Sequence, residues 1–174
     1  WWASKAEDWW KLAAENDFWQ GGFVWTGFDY RGEPTPYKWP NVNSHFGIMD
    51  VCGFPKNIYY YYKSWWTDED VIHISPHWNW NEKIGQPIEV WVNSNADDVE
   101  LFLNGKSLGK KTMPRNSHLK WEVTYEPGTL EAIGYKKGKK ISTKVETTST
   151  PYKVIATTEK NILTADGKDA TVVN

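Results

Sequence analysis

Between about residues 71 and 148 apolar and polar side chains alternate along the chain, the period-two pattern of half-buried strands. The segments VIHISPHW, PIEVWVNS, DVELFLNGKSLGKK, LKWEVTY and GTLEAIGYKKGKKISTKVET carry it, punctuated by Asn-Gly, Pro-Gly and Lys-Gly turn signals. Leu101 to Lys106, with Asn104 and Gly105 at its centre, predicts a tight hairpin. Six or seven strands in this span predict an immunoglobulin-like sandwich. From Thr150 a further module begins, with two strands and a turn before Asn174. Two strands cannot close a sandwich, so that module reads as truncated.

Before residue 68 the pattern changes. Ala6, Trp9, Trp10 and Ala13 recur at helical spacing, and Ser4-Lys5-Ala6-Glu7 matches a capping box, which predicts a helix over about residues 4 to 15. FVWTGF, residues 23 to 28, predicts a short buried strand entered through Gly21 and Gly22. It runs into RGEPTP, where Gly32, Pro34 and Pro36 end regular structure. KNIYYYYKSWW fits both periods, but its length and the preceding Pro55 favour a helix beginning near Lys56. TDED at 67 to 70 reads as a solvated polar hinge between the two regimes.

A glycine-flanked strand between two helices is the unit of a parallel α/β fold, and this chain supplies no parallel neighbour for it. The expected partners lie upstream. The domains drawn from these patterns are 1–68, an incomplete parallel α/β unit, 69–149, the sandwich, and 150–174, the start of another.

Composition narrows the function classes. A net charge of -2 gives no basic field for nucleic acid, and no apolar run approaches the roughly 20 residues of a membrane helix. Cys52 is the single cysteine, so an internal disulfide and a thiolate metal cluster are both excluded. Thirteen tryptophans and nine tyrosines stand out. Their flat faces pack in cores, and they stack equally well on the CH-rich sides of sugar rings, so the set points towards carbohydrate.

GGFVWTGFDYRGEPTPY at 21 to 37, followed by SHFGIMDVCGFPKNIYYYYKSWW at 44 to 66, resembles the end of the catalytic barrel of glycoside hydrolase family 2, above all its bacterial β-galactosidases. The resemblance implies the last helix, strand and helix of a (β/α)8 barrel in residues 1 to about 66, then an all-β immunoglobulin-like sandwich and the start of a second one. Active sites of such barrels gather at the C-terminal ends of the strands. Trp25 matches the family's strand-end tryptophan in the sugar-binding wall. Asp29 and Glu33 follow in the loop, either as structural or solvated carboxylates or as partners of sugar hydroxyls. His45 stands in the Ser44-His45-Phe46 stretch before Gly47-Ile48, where β-glucuronidases of the family carry an Asn-x-Lys pair for the uronate. The lack of that lysine implies a neutral sugar.

Retaining hydrolysis needs two carboxyl groups about 5 Å apart. Asp29 and Glu33 have no reason to straddle a glycosidic bond, and the family's catalytic glutamates come from earlier strands. The resemblance therefore implies part of a retaining exo-β-galactosidase, whose catalytic residues lie outside this chain and which needs no cofactor. It further suggests a periplasmic or secreted bacterial enzyme and leaves a homo-oligomer open.

Two other classes compete. One is a carbohydrate-binding module that exposes Trp78 and Trp80 on the HWNWN loop, with Trp91 and Trp121 read as core; the other is a structural spacer. His73 and His77 have the spacing of a helical metal pair, but Pro76 and the strand-like surroundings argue against one. The lysines at 136, 137, 139 and 140 flank Gly138 and read as a charged tip that protects a sheet edge.

Overall fold

A computed structural model describes residues 4–173. Two helices, α1 (Ala6–Glu15) and α2 (Asn57–Trp66), precede seven strands: β1 (Ile72–Ser75), β2 (Pro87–Ser94), β3 (Asp98–Leu103), β4 (Lys106–Thr112), β5 (Leu119–Thr124), β6 (Thr129–Lys136) and β7 (Lys139–Glu146). The strands form two antiparallel sheets, β1-β2-β5 and β4-β3-β6-β7, packed as a sandwich. In a seven-stranded constant-type immunoglobulin domain the fourth strand belongs to the first sheet. Here β4 pairs with β3 instead.

Alternation dictates this packing. In β5 the buried Leu119, Trp121 and Val123 interleave with exposed Lys120, Glu122 and Thr124. Their inward side chains meet Val90, Val92, Val99, Leu101 and Leu130, all fully buried. Trp78 is also fully buried; its indole N–H donates to the Glu126 carbonyl at 3.0 Å, and its ring meets Tyr125 edge-on. Two hairpins turn through paired left-handed residues, Asn104-Gly105 (φ 51° and 78°) and Lys137-Gly138 (φ 48° and 80°). Positive φ at both central residues is what a two-residue primed turn requires, and it explains Gly at each second position. The charged tip around Gly138 lies where its lysines predict, with Lys136 also paired to Asp70.

The polar hinge is tied down. Lys63 pairs with Glu69 at 2.6 Å, and Asn95 donates to the Glu69 carbonyl. The helices dock on the β4–β5 loop. Tyr61 donates to the Asn116 carbonyl at 2.7 Å, Trp65 to the Ser117 carbonyl at 3.0 Å, and Trp10 to the Asn116 side chain at 3.2 Å. Glu7 accepts from Ser117 at 2.5 Å, and it also bonds His118 and Lys11.

That geometry corrects the capping box. The residue before α1 is Lys5, with no side-chain cap, because the Glu7 carboxylate is taken up by the sandwich loop rather than turned back on its own helix. The short buried strand expected over 23 to 28 does not form either. The segment makes a single isolated bridge, Phe28 to Met49, and Phe23 is fully exposed, since no neighbour within the chain pairs with residues 23 to 25. Residues 150–173 contain one bridge, Thr158 to Val173, around a turn in which Asp166 accepts from the Lys168 and Asp169 amides. The two predicted strands there are absent, and Tyr152, Val154 and Ile162 stand exposed.

Candidate functional site

Residues 26 to 32 and 42 to 49 are stitched together through their backbones. Thr26 donates to Phe46 at 3.1 Å, Ile48 to Thr26 at 3.0 Å, Met49 to Gly27 at 3.0 Å and Asp29 to Met49 at 2.9 Å. Further along, Ser44 donates to Tyr30 and Gly32 to Val42, both at 2.8 Å. Gly47 is obligatory in this arrangement. A β-carbon there would lie 2.2 Å from the Asp29 nitrogen and 2.3 Å from the Met49 oxygen, far inside van der Waals contact.

On this frame stands an aromatic wall. Trp25 is 74% exposed, with its indole N–H donating to the Tyr30 hydroxyl at 3.3 Å and the two rings nearly perpendicular. The Tyr30 hydroxyl in turn donates to Glu33. That hydrogen bond, first among its causes, holds the Tyr30 phenol above its ordinary range. Glu33 sits in a left-handed backbone conformation, φ 47°, directly after Gly32. His45 is exposed and meets the Tyr37 ring edge-to-face at 4.7 Å. A broad exposed indole braced by a tyrosine hydroxyl, with hydrogen-bonding groups along its border, is a surface suited to a pyranose ring.

Asp29 differs from its neighbours on this wall. Its side chain is nearly buried; one oxygen accepts the Gly47 amide at 2.7 Å and the other pairs with the Lys56 ammonium at 2.6 Å. Burial alone would raise this carboxyl, but the Lys56 and Gly47 hydrogen bonds together outweigh it and hold Asp29 below the ordinary aspartate range. Of its two sequence readings, then, the structural one describes its contacts. Asp29 and Glu33 turn to different partners, and a depressed carboxyl is the opposite of what a general acid requires.

The other candidates disperse. Trp78, expected on an exposed loop, is core, while Trp80 is covered by the stacked His77 ring and by Lys83. Trp91, read as core, lies on the outer sheet face between His118 and Lys120. The outcome inverts because Trp78 is recruited by Tyr125 and Glu126, some 48 residues away, which no local pattern announces. His73 stacks on Tyr60 at 3.6 Å and bonds Asn57, whereas His77 stacks on Trp80. Among the described residues no three His, Cys, Asp or Glu gather to hold a metal, and no helix is long and apolar enough to cross a membrane. A cleft of about 850 Å³ lies between the helices and the outer face of β1-β2-β5, lined by Glu7, Tyr61, Trp91, Asn93 and His118 among others and by none of the wall residues.

Lys56 escaped the sequence reading as a site residue. Its one signal was the Pro-Lys segment, whose partner lies 27 positions earlier.

A family model described as a domain of unknown function (DUF4982) matches residues 85–142, the body of the sandwich. A protein of Bacteroides ovatus named a β-galactosidase is 50% identical over 171 residues, which cover 97% of this chain and 20% of that protein. A protein of Formosa agariphila named a putative β-glucuronidase is 44% identical over 156 residues, 86% of this chain and 15% of its own length, and another from the same organism, named a β-glucuronidase, is 29% identical over 176 residues, 98% of this chain and 17% of its own length. The chain thus spans about a fifth of the curated relatives it matches. Among solved structures, a β-glycosidase from Bacteroides vulgatus superposes with a TM-score of 0.82 at 37% identity, covering 93% of this chain and 21% of that one. A glycosyl hydrolase family 2 member from Bacteroides cellulosilyticus gives 0.84 at 29% identity over 98% of this chain and 27% of that one.

Proposed function

We propose that this chain, which belongs to glycoside hydrolase family 2, is part of a longer retaining exo-β-glycosidase that hydrolyses terminal β-galactosides. In this reading residues 1–68 are the end of the (β/α)8 barrel, residues 69–149 its supporting sandwich and residues 150–174 the beginning of a further domain. Trp25, Glu33 and His45 contribute the sugar-binding wall. The two catalytic carboxylates come from the rest of the protein, and the chain alone is inactive. A periplasmic or secreted setting goes with the family resemblance.

The observation that carries the proposal is Trp25: a large, exposed indole at the end of a stitched segment, fixed by the Tyr30 hydroxyl and bordered by Glu33. A neutral sugar is favoured over a uronide for a second reason. Lys56, the ammonium near the His45 carbonyl, is already neutralised by Asp29 and offers little to a substrate carboxylate. The relatives include proteins named for both activities, and the first cited, at 50% identity, carries the β-galactosidase name.

The test compares aryl β-galactoside hydrolysis by the longer protein and its Trp25→Ala variant. Loss of a stacking face is expected to lower kcat/KM by about 10- to 100-fold, a range set by one aromatic contact and the area it buries. An unchanged kcat/KM would remove Trp25 from the site. Turnover by residues 1–174 alone would overturn the placement of the catalytic carboxylates.

A further inference from the structure

We infer that Asp29 is a positioning residue through which the sandwich sets the place of the sugar-binding wall. The inference rests on the proposed galactosidase reading and gives the domain of unknown function a role within it.

The chain of contacts is continuous. The β4–β5 loop of the sandwich holds α2 by two hydrogen bonds, Tyr61 to Asn116 at 2.7 Å and Trp65 to Ser117 at 3.0 Å. At the other end of α2, Lys56 is the residue just before the first turn; its amide donates to Ile48 at 2.9 Å and its ammonium pairs with Asp29 at 2.6 Å. The same ammonium reaches the His45 carbonyl at 3.4 Å. Asp29 closes the circuit by accepting the Gly47 amide at 2.7 Å, which draws the 45–47 segment against the loop that follows Trp25.

Three segments therefore meet at one carboxylate: the residues after Trp25, the segment carrying His45, and the start of α2. Backbone bonds and the Tyr30 amide's bond to the Ser44 hydroxyl fix the wall's two strips to each other, and the Lys56 amide adds one neutral bond from α2 to Ile48. The Asp29–Lys56 pair is the charged link from the wall to the helix that the sandwich anchors. Its near-complete burial on the Asp29 side keeps solvent from loosening it, and two charge-assisted bonds are stronger and shorter than neutral ones. Both Asp29 oxygens are engaged, one by the Gly47 amide and one by Lys56, so it acts by holding other residues in place.

The experiment uses the longer protein and aryl β-galactoside, with Asp29→Asn, Lys56→Met and the double variant. Asn preserves shape and an acceptor for Gly47, so folding is expected to persist, and the unfolding midpoint of each variant is recorded alongside. The expected result is a KM raised about tenfold by either single change, with kcat within about threefold, because substrate alignment is loosened while the reacting groups are untouched. The double variant is expected to cost less than the two single effects combined, since removing one partner leaves the other charge unpaired. Unchanged KM in both single variants, or strictly additive effects, would overturn the inference. So would a loss confined to kcat, which would place Asp29 at the reacting centre. Failure of the unmodified protein to hydrolyse galactoside would instead reject the underlying reading, and the two failures are told apart by that control.

Discussion

Replacing Glu7 by Gln isolates the junction between helices and sandwich. The Glu7 side chain is 18% exposed and its carboxylate serves three partners at once: Ser117, His118 and Lys11. Burial would raise this carboxyl, but its hydrogen bonds with Lys11, Ser117 and His118 outweigh that and lower it. Gln keeps one acceptor oxygen but loses the charge that strengthens all three bonds. A hydrogen bond to a charged group contributes about 1.5–3 kcal/mol, so a net loss of about 2–3 kcal/mol is expected for the linked set. α1 has only ten residues, too few to be stable as an isolated helix, so its amides are protected from exchange only while it is docked. With about 1.4 kcal/mol per factor of ten, hydrogen–deuterium exchange across α1 should accelerate by about 30- to 150-fold, while β2 and β5 exchange as before. The pH dependence has a definite sign. A depressed carboxyl contributes stability above its ordinary value of about 4.5, and that contribution disappears as pH falls through the lower folded value. Exchange in α1 that changes by less than threefold, or that accelerates equally in the sandwich strands, would refute the docking role of Glu7.

Two further perturbations probe the sandwich. Burial against Tyr60 holds the His73 imidazole down at about 4, so the folded chain resists a proton that the unfolded chain accepts from about pH 6.5 downward. Stability is therefore expected to fall by about 1–3 kcal/mol as pH drops from 6.5 to 4, discounted for the partial exposure of the ring, and His73→Phe should abolish that component in denaturant titrations. A His73→Phe variant with the same pH slope as the parent would contradict the burial argument. Trp78 is fully buried and hydrogen-bonded at its indole, so Trp78→Ala should cost about 3–5 kcal/mol and lower the sandwich unfolding midpoint, whereas Trp80→Ala should cost under about 1 kcal/mol. Equal effects of the two would contradict the assignment of Trp78 to the core.

What the sequence disclosed and what it hid divide along the range of the forces involved. The sandwich was legible because alternation is local: β5 reads inward and outward residue by residue, and Asn104-Gly105 specifies its turn by backbone conformation alone. The two helices were legible from their spacing and from Pro55. The strand over 23 to 28 was not, because a strand needs a partner's backbone and this segment has only Phe28 bridged to Met49. Glu7 matched a capping box by sequence and was captured by a loop 110 residues away, a competition that no window of sequence contains. The same holds for the wall. Trp25 stood out through the family resemblance, with Asp29 and Glu33 in the loop after it, but the commitment of Asp29 to Lys56 depends on a pairing across 27 residues, visible only when the chain is folded.

The decisive measurement is the ratio of kcat/KM for aryl β-galactoside to that for aryl β-glucuronide, determined for the longer protein that carries this chain. With the Lys56 ammonium neutralised by Asp29, a ratio above about 100 is expected, the discrimination available when a substrate charge would be left unpaired in the site. A ratio near or below one would contradict the neutral-sugar reading and require a carboxylate-binding cation elsewhere in the site.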